Sequence, residues 1–380
     1  MNADFDAEAF ARDLDAVRAR VRKDAGPADL THLRKIEAWG RLCTAAGWAT
    51  TWMAPNPLSA WMISQGRTAR WSTVAHHVLH KGYDRVPGTP KSRTSKGFAR
   101  GWRRMLDWND WIAPDAWAFE HNQQHHYRLG EDADPDHVEL NIDWLRDASW
   151  PQPVKLAVLA AFAATWKFSY YAPNTLRQLR ARQGKKAAER ETLEPLSTMF
   201  AKPELWRRCF GPYALSQFAL YPALYLPLGP WAAFSALANN LGAEVLTNLH
   251  TFLIITTNHV GDDIHIFDGP PKDRAEFYRR QVVGSTNFRT GGDANDFLHG
   301  WLNYQIEHHL FPDLSMLQYQ QIQPEIRAIC ERHGVPYVQE SVWKRLRKTV
   351  AVMTGQADMR RAEIPSATEP DEPEAERAVA

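Results

Sequence analysis

Residues 301–312 read Trp-Leu-Asn-Tyr-Gln-Ile-Glu-His-His-Leu-Phe-Pro, which sets two adjacent imidazoles, His308 and His309, between Gln305 and a stop at Pro312. A neutral imidazole is a nitrogen ligand suited to iron, zinc, copper or nickel, so the pair raises the question of a metal. Alone, such a pair is more simply a satisfied polar pair. Here two clusters accompany it: His76, His77 and His80, then His121, His125 and His126. Helical residues four apart share a face, so His76 with His80, and His121 with His125, can each serve one metal cluster. His126 is turned by about 100° from its neighbour, which suits a second metal. A His-x-x-x-His pair also occurs in zinc peptidases, but their general base follows the first His, where this chain has His77. That reading fails. His259, before Gly261-Asp262-Asp263, is a candidate eighth ligand, the simpler role there being a helix-end His bound to a carbonyl. His77, His137, His250, His265 and His299 are assigned to structural or outer positions.

The elements that must hold these residues are predicted to be helical throughout. Phe10, Leu14, Val17 and Val21 recur at helical spacing in an amphipathic segment, 1–36, which turns at Gly26-Pro27. Residues 42–66 carry no charge and are broken by Pro55-Asn56-Pro57, which predicts a hairpin of two Trp-rich helices running into the first His cluster. Cys209 to Ala243 is again without charge, and Pro227-Leu228-Gly229-Pro230 divides it into helices at about 211–226 and 231–257. Crossing ~30 Å of hydrocarbon takes about 20 helical residues, so these two hairpins are expected to give about four membrane spans. The apolar run 154–171 holds Lys155 and Lys167 and is expected to lie at the interface. A span there would put the basic loop after it outside and separate the His clusters. Helices are also predicted over 316–332 and, basic and amphipathic, about 340–353; the Pro- and acid-rich tail 362–380 is expected to be disordered.

Composition narrows the classes. Lys+Arg 45 against Asp+Glu 44 leaves a net charge of +1, so no global field argues for nucleic acid. Three cysteines without a CxxC pattern give no zinc ribbon and no disulfide framework, as in a reducing compartment. The acidic start is unlike a secretory leader. Sixteen tryptophans suit interfaces as well as cores, although a mean hydropathy of −0.47 is low for a membrane protein. Residues 85–104 carry Arg85, Lys91, Arg93, Lys96, Arg100, Arg103 and Arg104 with no acid after Asp84, a possible dock for an anionic head group or an acidic partner.

Three boxes ordered His-x-x-x-His, His-x-x-x-His-His and Gln-x-x-His-His resemble those of the integral-membrane fatty acid desaturases, a superfamily that includes lipid hydroxylases. The run Asn303 to Pro312 is similar to the third box of front-end and acyl-lipid desaturases, and the likeness continues from Pro324 to Tyr337. The resemblance covers about residues 55–337, within an expected desaturase domain of 37–337. It implies an all-α, membrane-anchored protein with a cytoplasmic His-rich di-iron domain. Two irons per chain would be held by His76, His80, His121, His125, His126, His308 and His309, with His259 matching an extra histidine after the last span. Gln305, a position where wider relatives can carry histidine, would coordinate weakly, act through a water, or orient a ligand. The first box departs from the family pattern in its interior, His77-Val78-Leu79, the second in having three residues before its His pair, and the fused haem domain of front-end members is absent.

The implied reaction is O2-dependent desaturation of a lipid acyl chain carried by CoA, carrier protein or glycerolipid. An unactivated methylene has no acidic proton, so acid–base groups alone cannot attack it. Two electrons would come from the substrate and two from a ferredoxin or cytochrome b5-type donor. The expected location is the cytoplasmic side of a bacterial inner membrane, among membrane lipids. A hydroxylase on the same iron site and a non-catalytic lipid-binding protein are the alternatives.

Overall fold

The computed structural model describes residues 5–183 and 193–362, and the predicted disordered tail lies outside the described residues except at Ala362. Helix α1 (Ala7–Lys23) is capped by the Asp6 carboxylate, which accepts from the Ala9 amide at 2.9 Å. Its apolar stripe of Phe10, Leu14, Val17 and Val21 is buried in the main core. Pro27 opens α2 (Pro27–Thr50), where Asp29 reaches back to the Gly26 amide at 2.8 Å. After a turn, Asn56 caps α3 (Pro57–Thr68) through the Ser59 amide at 2.7 Å. The chain then loosens into a π-helical turn, Ala69–Ala75, before a last α-turn, His76–Leu79.

Helix α4 (Pro114–Glu120) repeats this device, passing into a π-helical turn at His121–His125. The amphipathic and apolar stretches beyond it form α5 (Gln152–Ala163), α6 (Ala172–Gln183) and the long α7 (Pro230–Ile255). Helices α8 (Arg274–Val283), α9 (Gln305–Leu310), α10 (Met316–Arg332) and α11 (Val342–Met353) complete the set used below. Two short parallel pairs tie distant segments: His265–Ile266 with Arg360–Arg361, and Asn287–Phe288 with Gln339–Glu340.

Helix α3 packs between α2 and α7, and small residues allow the approach. A Cβ added at Gly66 would stand 2.0 Å from Thr44 Oγ1 and 3.0 Å from the Gly40 carbonyl; one at Gly47 would stand 2.6 Å from Ile63 Cγ1. Backbones this close leave no room for a methyl group. Helix α1 lies against α8 and α10, the two helices that pack on α9 and its third His box. The predicted basic helix is α11, and its Arg345 is fully buried, bound to Asp263 at 2.7 and 2.8 Å just past His259.

The four expected membrane spans are not found. Among the described residues no helix is long and apolar enough to cross a membrane. The physical reasons differ from hairpin to hairpin. Helix α2 includes the charged residues Asp29, Arg34, Lys35, Glu37 and Arg41, and α3 has only 12 residues, about 18 Å of rise. The stretch expected as one helix at 211–226 is divided into short α- and π-helical pieces, Gly211–Ala214, Leu215–Leu220 and Tyr221–Ala223. Helix α7 has 26 residues but buries Asn239, Asn240, Thr247, Asn248 and Thr251 along one side. Its Glu244 accepts from Arg67 at 3.1 Å, and from Tyr213 and Trp111 at 2.6 Å each. This is a polar seam packed inside protein, where the uncharged sequence suggested a lipid-facing rod.

Candidate metal centre

The three boxes and His259 converge. His76, His80, His121, His126 and His308 bring one ring nitrogen each within 4.8 Å of one another, all buried. His125, His259 and His309 form a second group by the same measure. His76 Nε2 lies 2.9 Å from His308 Nε2 and 3.3 Å from His121 Nε2. All eight histidines proposed from the sequence fall into these two groups. His77 does not: its Nδ1 is 2.6 Å from the Thr73 carbonyl, one turn back.

The π-helical turn changes which neighbours share a face. In an α-helix His121 would pair with His125. With i→i+5 hydrogen bonding, positions five apart align, so His121 joins His126 in the first group and His125 turns to the second. The spacing identified the residues, but the local winding distributes them. Asp136 also comes within reach of His121 and His125.

Hydrogen bonds at the far ring nitrogens set the rings' orientation. His125 Nδ1 donates to Asp134 at 2.9 Å, and Asp134 is itself held by the amides of Gly130 and Asp136 at 3.0 and 2.9 Å. His309 Nδ1 donates to Gln281 Oε1 at 3.0 Å and His259 Nδ1 to the Gly284 carbonyl at 3.2 Å. Tyr319 gives its proton to the Phe311 carbonyl at 3.0 Å, so its oxygen accepts from His308 Nδ1 at 3.2 Å. Each bond leaves Nε2 as an acceptor facing the cluster, the arrangement that orients metal-binding imidazoles. Asp134, Gln281 and Tyr319 were not singled out from the sequence. Asp134 lay in the visible acidic loop 131–136; Gln281 and Tyr319 carry no local signal at all.

Glu307, inside the third box, works differently. It is fully buried and accepts from Asn287 and Tyr337, each at 2.8 Å, while Asn287 Oδ1 accepts from the Ile306 amide at 2.8 Å. It clamps α9 to the Asn287–Phe288 strand. Trp301, just before the box, has a left-handed backbone (φ 59°) held by packing of its buried indole edge-on to His32 at 5.1 Å.

The residues fit a metal. His80 Nε2, both nitrogens of His126, and His309 Nε2 are buried without a hydrogen-bond partner. Leaving several buried acceptors unsatisfied in one place is costly unless a cation takes them up. Burial, then the neighbouring imidazoles, push His76, His80, His121, His126, His308 and His309 well below the ordinary histidine value. Burial takes His259 down to about 3. These rings stay neutral, as ligands must. At His125 burial acts in the same direction, but Asp134 and Asp136 outweigh it and raise the value.

Gln305, on α9, points into the second group. Its Nε2 is 2.8 Å from His259 Nε2, and its Oε1 is buried without a partner. Beside both groups runs a narrow cavity of about 80 Å3, walled by Val138, Ile142, Phe162, Trp166, Phe252, Ile255, Leu302 and Met353, with His76, His121, His125, His259 and Gln305 at its polar side.

The model of the fatty acid desaturase family matches residues 11–341, and the chain belongs to that family. A protein named NADPH-dependent stearoyl-CoA 9-desaturase from Mycobacterium tuberculosis is 26% identical over 363 residues, covering 91% of this chain and 79% of that protein. An acyl-lipid (7-3)-desaturase from Diacronema lutheri is 32% identical over 248 residues, 60% of this chain and half of that protein's length. An acyl-lipid (8-3)-desaturase from Physcomitrium patens is 32% identical over 138 residues, 36% of this chain and 28% of that protein. The oxidoreductase reading of the sequence and its fatty acid desaturase resemblance stand on these matches.

Proposed function

We propose that the chain is an O2-dependent acyl desaturase that holds two irons, one by His76, His80, His121, His126 and His308 and the other by His125, His259 and His309 with Gln305 beside them. The convergence of three sequence-distant boxes into two buried ligand groups carries this reading. Iron held by these residues would supply, with O2, the oxidising power that no side chain has and that removing hydrogen from an unactivated methylene requires.

The protein's own part is orientation and exclusion of water. The acyl chain lies in the apolar cavity, whose walls fix one carbon pair beside His76, His121 and Gln305. Asp134, Gln281 and Tyr319 keep the rings in the ligating tautomer. The product has lost two hydrogens, and O2 leaves as two waters, two electrons coming from the substrate and two from a donor. Similarity to a stearoyl-CoA desaturase over most of both chains favours a thioester of CoA as acyl carrier. Expression in a host with defined fatty acids tests this: the new product should be lighter by two hydrogens. A product heavier by one oxygen would assign a hydroxylase, and an unchanged lipid profile with metal-loaded protein would remove the enzymatic reading.

An apolar tip supports membrane contact without a span. Trp48, Trp52, Met53, Leu58 and Trp61 are exposed at the α2–α3 turn, and Leu224, Leu226, Leu228, Trp231 and Phe234 are exposed at the start of α7. The two are joined where Trp231 Nε1 meets the Met53 carbonyl at 3.1 Å and Tyr225 the Trp48 carbonyl at 2.8 Å. Contiguous exposed apolar surface with tryptophan suits a lipid interface. Free Cys43, Cys209 and Cys330 fit the cytoplasmic face of a bacterial inner membrane.

The electron donor is proposed to dock on the basic segment 85–104, but not by all its cations. Arg85 is bound to Asp313, Arg93 to Glu37 and Asp107, and Arg103 to Asp107. Lys91, Lys96 and Arg100 are exposed and make no ion pair with a described residue. Reversing these three to Glu should raise the concentration of an acidic ferredoxin or cytochrome b5 needed for half-maximal rate and flatten its salt dependence. Unchanged donor kinetics would remove this face from the electron path.

A further inference from the structure

A second cavity, sharing no lining residue with the acyl pocket, lies between α2, the helical stretch Gly66–Val74 and the segment Arg93–Asp107. Its volume is about 70 Å3, against the ~10–15 Å3 that one water requires, so a tetrahedral oxyanion fits. Its charged lining is Arg41, Arg70 and Arg93 with Glu37 and Asp107. Both carboxylates are already taken. Glu37 is bound by Arg41 and Arg93, and Asp107 by Arg93 and Arg103.

Arg70 is the exception. It makes no hydrogen bond or ion pair with any described residue, while the nearby Arg67 is engaged by Glu244, Gln217 and Asn240. Burial, followed by the charge of Arg67, pushes the Arg70 guanidinium below its ordinary value. A guanidinium cannot shed its proton, and half-buried Arg70 is a partly desolvated cation with no carboxylate bound to it, a ready receptor for an anion. Its nitrogens are not sealed in, since none is among the closed-off unpartnered atoms, and the residue lines the cavity. Part of the lining is apolar: Leu106 lines the cavity and is exposed, as are its chain neighbours Met105 and Trp102 outside it.

We propose that this cavity binds the phosphate of an anionic amphiphile, held by the fork of Arg70 with Arg41 closing over it and exposed Leu106 beside the start of the tail. Planar guanidinium groups hold tetrahedral oxyanions through paired, charge-assisted bonds. A lipid head group and free phosphate share this chemistry. Arg70 lies in the π-helical turn that leads directly into His76, so occupancy would brace the element that carries the first His box. The proposal does not depend on the acyl reaction.

The test is thermal unfolding and equilibrium titration of the full-length protein with dioctanoyl phosphatidate, dioctanoylglycerol and inorganic phosphate. A ligand that binds only the folded chain raises Tm with concentration. Phosphatidate should raise Tm saturably and the uncharged diacylglycerol should not. Arg70→Gln should weaken phosphatidate at least tenfold and Arg70→Lys less, with metal content unchanged in both. A shift by inorganic phosphate as large as that by phosphatidate assigns free phosphate as the source; a shift by phosphatidate alone assigns the lipid. If Arg70→Gln fails to fold, Arg41→Gln, at an exposed side chain, should still weaken phosphatidate severalfold. No shift with either anion, or full affinity in both glutamine variants, would overturn the site.

Discussion

His308→Ala is expected to abolish desaturation while the chain still expresses and folds. His308 brings the third box into the first group: its Nε2 stands 2.9 Å from that of His76, and its ring lies within 4.7 Å of His80 and of His126, centroid to centroid. Its loss opens the first site rather than loosening it. Residues that only orient a ligand typically cost ~10–100-fold in metal affinity or activity when removed, so a ligand should cost more. Tyr319→Phe supplies the contrast, because it removes the acceptor of His308 Nδ1 and leaves the ring in place. Product analysis and metal content measured side by side should rank wild type, Tyr319→Phe and His308→Ala in that order. Comparable turnover in His308→Ala and wild type would remove the first group from catalysis.

Gln305 is expected to grade between ligand and bystander. Since His259 Nδ1 already donates to the Gly284 carbonyl, its Nε2 is an acceptor, and the Gln305 amide nitrogen donates to it. The amide oxygen is left buried and unpartnered beside the second group. An amide oxygen is a harder, weaker donor than imidazole, so Gln305 holds metal weakly, through a water, or by steering His259. Gln305→Ala should therefore keep more iron than His309→Ala and lose ~10–100-fold in activity or affinity, with Gln305→His retaining metal. Equal iron loss in the two alanine variants would make Gln305 a full ligand. Undiminished activity in Gln305→Ala would give it no part.

The clustering of the candidate ligands was legible because histidine is scarce, chemically specific and spaced by local helix geometry. All eight candidates converge, including the isolated His259, whose place at the end of a long helix was visible in the apolar pattern. What spacing did not contain was the winding. A π-helical turn has no clear sequence signature, so the exchange of His125 and His126 between groups appears only in three dimensions. Partners such as Gln281 and Tyr319 come from α8 and α10, far along the chain, and depend wholly on tertiary packing. The expected spans failed for a related reason. Absence of charge in 209–243 and 42–66 predicts lipid exposure, whereas Asn240 and Asn248 make a buried polar seam with Arg67 and Glu244, and Asn239 holds the carbonyls of Thr51 and Ala54. A count of charges passes over uncharged amides, and burial against protein looks much like burial in lipid to a window of apolar residues.

The most direct test of the account is the metal content of the purified full-length chain after expression with ample iron. Elemental analysis should return about two irons per chain, falling in His308→Ala and in His309→Ala, with desaturation that rises and falls with iron. Zinc alone, with no iron-dependent activity, would contradict it.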